Sequence, residues 1–119
     1  MQYKIRVYVA GAYSSPTLIG ALDNMRRGMQ LAFKVLKAGF SPFVPWFDYH
    51  FSLIGDVTIE EYQGYCLPWI EVSDAMLIVP EGVEESNGTQ AELKLAEELG
   101  IPIFYSLKDL QEWSKGWKV

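Results

Sequence analysis

Reactive and metal-binding side chains are scarce in this sequence. One cysteine, Cys66, and one histidine, His50, stand among 119 residues. A lone thiol forms no internal disulfide, and one Cys with one His makes no cluster at metal-ligand spacing. Neither a disulfide scaffold nor a zinc site is expected. Cys66 reads as a small packed hydrophobe in a reducing cytoplasm. Long apolar runs are missing too: none approaches the roughly 18 residues that cross a bilayer. Residues 1–6 alternate polar and apolar side chains and build no signal-peptide core. The expectation is a soluble, cytoplasmic protein with no membrane partner. Positive charge is also sparse. Ten Lys and Arg against fifteen Asp and Glu leave a net charge of −5, and the longest basic run is Arg26-Arg27. That speaks against a nucleic-acid polymer as partner, because phosphate backbones demand a basic patch.

What the chain does hold is apolar and aromatic. Half of it is hydrophobic and 21% is charged, with four Trp, seven Tyr and six Phe. Those proportions suit one globular domain, 1–119, and place some aromatic surface in a pocket or a subunit interface. Residues 4–10 read as a buried strand, and Gly11 to Pro16 break it with turn residues. Over 18–38, Leu22, Met25, Met29, Phe33 and Leu36 recur at helical spacing, with Gly39 placed to end the helix. A short strand at 42–45 is limited by its prolines, and an aromatic loop carrying His50 follows it. A helix over 58–72 is kinked or split at Pro68; then come a central strand at 75–79 and an acidic loop. A helix over 89–99 closed by Gly100, a strand at 101–105 and a last helix over 108–117 complete the chain. Alternation of strand and helix predicts an α/β fold: a Rossmann-like (flavodoxin-like), mostly parallel sheet of four to five strands with helices on both faces. Ligands of such sheets bind beyond the carboxyl ends of the strands.

Two segments fall at those ends. The first is Gly11-Ala12-Tyr13-Ser14-Ser15, which matches neither a Walker loop nor a dinucleotide fingerprint. Tyr13 there either stacks on a ligand or fills the edge of the core. The second is Ser86-Asn87-Gly88-Thr89-Gln90-Ala91-Glu92, small hydrogen-bonding residues where a helix opens and backbone N–H groups are free for an anion. Glu92 is the candidate reactive acid. Its structural alternative is a capping box, Thr89 bonding the third amide of the helix and Glu92 returning to the Thr89 amide. Ser86, Asn87 and Gly88 exceed what a cap needs, and a glycine there allows close approach of a ligand. Asp74 either turns the chain before its strand or stands at the pocket edge as a second acid. His50 has no acid or nucleophile beside it in sequence and reads as packed or solvated.

Three pieces, Val7 to Tyr13, Ser73 to Val79 and Ser86 to Glu92, resemble in order and spacing the nucleoside 2-deoxyribosyltransferase superfamily. Within it they look closest to the 2′-deoxynucleoside 5′-monophosphate N-glycosidases, over about residues 3–106. The resemblance implies that Glu92 is a nucleophile on the anomeric carbon, forming a glycosyl-enzyme intermediate as retaining glycosidases do. It implies that Asp74 binds the sugar or helps to protonate the leaving base. Gly11, Tyr13 and Ser14 would touch sugar and phosphate, with Ser86, Asn87 and Gly88 on the substrate side of the helix start. Transferases of this superfamily tend to carry an aspartate six residues before the nucleophile, where this chain has Ser86. A neutral hydroxyl accepts a 5′-phosphate that a carboxylate would repel. The implied function is hydrolysis of a (deoxy)nucleoside 5′-monophosphate to free base and sugar 5-phosphate, with no cofactor and no metal. The implied state is a homo-oligomer, dimer or higher. Base exchange between nucleosides and a non-catalytic nucleotide-binding module are the alternatives.

Overall fold

The computed structural model describes residues 3–12, 15–80 and 87–117, apart from the side chains of 46–49 and 87. Four parallel strands form one sheet in the order β2-β1-β3-β4. They are β1 (Arg6–Ala10), β2 (Ser41–Phe43), β3 (Ala75–Ile78) and β4 (Ile103–Phe104). Helices α1 (Leu18–Lys37), α2 (Ile59–Glu71), α3 (Asn87–Leu99) and α4 (Leu107–Ser114) connect or follow them, and a 3-10 helix spans Pro45–Leu53. The predicted α/β class and the helices on both faces are present. Pro42 lies in β2, an edge strand where its missing N–H breaks no ladder on the outer side.

Side chains alternate strictly across the sheet. Val7, Val9, Ala75 and Leu77 point to one face, where Ala32 and Val35 of α1 and Leu110 of α4 cover them. Tyr8, Ala10, Met76 and Ile78 point to the other, against Cys66 and Ile70 of α2 and Ala96 of α3. All eight strand residues have zero solvent exposure. The register sets Tyr8 beside Met76 on one side and Phe43 on the other. Burial on both faces is why the two central strands read as continuous apolar runs.

The helix ends follow local chemistry. Thr58 caps α2 in a capping box with Glu61, the amide and carboxylate contacts both at 3.1 Å. Helix α2 continues unbroken through Pro68. Gly39 and Gly100 take φ values of +100° and +73° just past α1 and α3, conformations that a Cβ would strain. The outward face of α1 departs from expectation. Of the five large residues read as its apolar stripe, only Met25 packs against the core; Leu22, Met29, Phe33 and Leu36 are exposed. The face on the sheet is built from smaller residues, Gly28, Ala32 and Val35. They let the helix lie close to β1.

Candidate functional site

Strand order 2-1-3-4 puts the reversal of winding between β1 and β3. The crevice beyond their carboxyl ends is where open α/β sheets hold ligands. Gly11 leaves β1 there, and it is buried. The first turn of α1 is folded close against the loop after β1. The Thr17 hydroxyl accepts the Gly20 amide at 3.0 Å, and Ser15 Oγ accepts the Thr17 amide at 3.3 Å. A Cβ at Gly20 would collide with the Ser15 side chain. Gly20 is thus fixed by packing, a requirement that helical periodicity could not reveal.

Helix α3 brings Glu92 to the same region. It begins at Asn87, so Thr89 lies inside its first turn, buried, instead of preceding it. The capping-box alternative for Glu92 takes Thr89 as the residue before the helix, and here Thr89 stands within it. Glu92 is the sixth helical residue, and its Oε2 is out of contact with solvent. Beside it stands the Tyr8 hydroxyl, equally shielded, on the sheet face that α2 and α3 cover. Burial pushes the Tyr8 phenol well above its ordinary pKa, and the neighbouring Glu92 carboxylate and Cys66 thiol add to the shift. Tyr8 therefore keeps its proton across the physiological range. A permanently protonated phenol next to a buried carboxylate is an arrangement that can hold that carboxylate in one orientation.

Tyr8 is not singled out by the sequence as a site residue. The available signal is a polar-tipped ring inside an aliphatic buried strand, a position where the hydroxyl needs a partner. The Tyr8 ring stacks on Phe43 at 5.4 Å between centroids, and Phe43 stacks in turn on Trp69 at 5.2 Å. Phe51 of the 3-10 helix meets the edge of Tyr65 at 5.5 Å. Part of the aromatic surplus is thus one connected row over the Tyr8 face of the sheet.

Gly88 is the second residue of α3, and a Cβ on it would meet no atom of the described residues within 4 Å. No packing among the described residues demands a glycine there. Asn87 opens the helix through its backbone. Tyr13, Ser14 and Ser86, together with the acidic loop around Glu81, Glu84 and Glu85, lie outside the described residues.

Asp74 is placed elsewhere. It immediately precedes β3, at the amino ends of the strands, and accepts the Arg6 amide at 2.8 Å while its carboxylate pairs with the Arg6 guanidinium at 3.3 Å. The Asp74 amide returns a bond to the Arg6 carbonyl at 2.8 Å. The sequence reading sets Asp74 at the pocket edge or in a turn before its strand; the structure shows its carboxylate engaged by Arg6 where β1 and β3 begin. Asp74 clamps the start of β3 to the start of β1. His50 lies exposed in the 3-10 helix. Among the described residues no group of three His, Cys, Asp or Glu is placed to hold a metal ion, and no helix is long and apolar enough to cross a membrane.

Comparison with curated proteins returned no match. One family model covers residues 5–105, from the residue before β1 to the one after β4, and so spans the whole sheet and the Tyr8–Glu92 pair. By that match the chain belongs to the family described as Domain of unknown function (DUF4406).

Proposed function

We propose that this protein is a hydrolase that cleaves the N-glycosidic bond of a (deoxy)nucleoside 5′-monophosphate, giving free base and sugar 5-phosphate. The observation that carries the reading is the shielded Glu92 carboxylate beside the protonated Tyr8 hydroxyl, on the helix that follows β3. In the first step a Glu92 oxygen forms a bond to C1′ as the bond from C1′ to the base nitrogen breaks, its electron pair leaving with the base, which carries a proton taken from the solvent and departs neutral. In the second, water adds to C1′, the ester bond to Glu92 breaks, and the water proton passes to the solvent. Tyr8 keeps the carboxylate oriented and does not ionise. The 5′-phosphate is assigned to the N–H groups at the start of α3, where Gly88 leaves space and the helix dipole favours an anion. The aromatic row from Tyr8 to Trp69 offers the kind of surface on which a nucleobase stacks. A cytoplasmic setting, in keeping with the buried free thiol of Cys66, and a homo-oligomeric state are part of the same proposal.

The test is incubation with a panel of nucleosides and nucleoside 5′-monophosphates, reading free base by chromatography, for the native chain and Glu92→Gln. Release of base from monophosphates, lost in a folded Glu92→Gln protein, is expected. Equal release by both proteins removes Glu92 from the mechanism. Turnover that requires an added acceptor base assigns transfer in place of hydrolysis.

A further inference from the structure

Cys66 is a buried reactive group to which the proposed reaction gives no role. It lies on α2 at 7% exposure, in the same cluster as Tyr8, and its thiol neighbours the Tyr8 hydroxyl. Glu92 approaches that hydroxyl from α3. Three elements, β1, α2 and α3, thus each bring one group that can hold a proton to a single place between sheet and helices. The walls around them are hydrocarbon: Ile70, Met76, Ile78 and Ala96. Packing explains a small side chain at position 66. It does not select a sulfhydryl over a methyl group where a fully buried phenol meets its surroundings, because there the difference is polar.

The donors available set an order. A carboxylate only accepts, a phenol has a single proton with lone pairs besides, and a thiol offers a weak S–H. The phenol proton goes to the ionised Glu92, since a hydrogen bond to a charge is roughly twice as strong as one between neutral groups. The lone pairs of the Tyr8 oxygen are then left to the thiol, whose S–H is the remaining proton of the three groups. Neither neighbour stands at full hydrogen-bond length from the Tyr8 oxygen. The phenol O–H is accordingly a rotor steered by the dipoles around it and not locked by one short contact.

We infer that Cys66 is a positioning residue for Glu92, acting through Tyr8: its S–H, directed at the Tyr8 oxygen, turns the phenol proton toward the carboxylate. The inference rests on the proposed reaction, in which Glu92 is the nucleophile. Polar groups in series polarise one another, so removal of the outer member weakens the inner contact. The thiol itself forms no bond to substrate.

A double-mutant cycle read as kcat for base release from nucleoside 5′-monophosphates tests this, with infrared spectroscopy beside it. Cys66→Ala in the native background is expected to lower kcat about 3- to 10-fold with KM unchanged, the net effect of one hydrogen bond. In the Tyr8→Phe background the same change is expected to leave kcat where it is, because the hydroxyl through which the thiol acts is gone. The chain has a single cysteine, so its S–H stretching band has one source. In Tyr8→Phe that band is expected to move toward the frequency of an unbonded thiol, and this arm decides alone if Cys66→Ala does not fold. Equal losses in the two backgrounds, no loss in either, or the same band frequency in native and Tyr8→Phe proteins each overturns the inference. The two failures are distinguishable. A native chain that releases no base removes the reaction and this role with it, whereas base release that depends on Glu92 but ignores Cys66 removes only the role.

Discussion

Tyr8→Phe isolates one hydroxyl, and its effect on stability can be worked out as a function of pH. The ring stays: the variant would keep the stack on Phe43 at 5.4 Å and the packing of a side chain with no solvent exposure. Only the ionisable proton is lost. In the folded chain Tyr8 is held far above the ordinary value of 10.0, first by burial and then by the Glu92 carboxylate and Cys66 thiol. In the unfolded chain it titrates near 10. Above that value the unfolded state releases a proton that the folded state retains, so stability falls as pH rises. Below it, both states are protonated and the effect vanishes. For one such group the loss is about 0.4 kcal/mol at pH 10 and about 1.4 kcal/mol at pH 11. Other tyrosines and lysines add slopes of their own, but these are common to both proteins. The informative quantity is therefore the difference in unfolding free energy between Tyr8→Phe and the native chain, followed by urea unfolding from pH 8 to 11. It should move in favour of the variant by about 1.4 kcal/mol over that range. Parallel profiles would mean that the phenol ionises as easily in the folded protein as in the unfolded one. The buried pairing with Glu92 would then be wrong.

Gly100→Ala is expected to lower stability by about 1 kcal/mol in a thermal melt, because Gly100 has a φ of +73° although nothing would touch its Cβ. Thr58→Ala removes the cap of α2 and should cost about 1 kcal/mol by urea unfolding, with a smaller loss for Thr58→Gly. Asp74→Asn keeps one acceptor for the Arg6 amide but loses the ion pair. A cost of about 1 kcal/mol is expected, with base release from nucleotides unchanged.

The strands and helices are legible in the sequence because each carries its own period or its own stop. Continuous apolar runs mark β1 and β3, and Gly39 and Gly100 mark the ends of α1 and α3. The orientation of α1 is not legible. Its two apolar stripes compete, and sequence alone assigns the larger residues to the core, whereas close packing on a flat sheet selects Gly28, Ala32 and Val35. The same limit hides Gly20, whose missing side chain makes room for Ser15 across the turn. Helix α3 starts two residues earlier than the sequence suggests, because Thr89 and Glu92 have the spacing of a capping box whether or not one forms. Tyr8 is the instructive omission. Nothing in a strand's alternation distinguishes a tyrosine that fills space from one that meets a carboxylate arriving from another element, 84 positions along the chain.

The placement of Asp74 bears on the chemistry more than on the fold. A retaining glycosidase sets its nucleophile and its acid about 5–5.5 Å apart on either side of the scissile bond. Strand β3 carries the chain from Asp74 to the opposite end of the sheet over four residues, about 13 Å at the usual rise. Asp74, at the amino end, is already engaged by the Arg6 amide and guanidinium. On the proposed reading, Glu92 is then a nucleophile beside a positioning phenol, and Asp74 is not its paired acid. A glycosidic bond broken by such a site departs with help from the leaving group itself: a base protonated on its ring by solvent leaves as a neutral molecule. Under the proposed reaction, cleavage should therefore favour bases with the more basic ring nitrogens and quicken as pH falls.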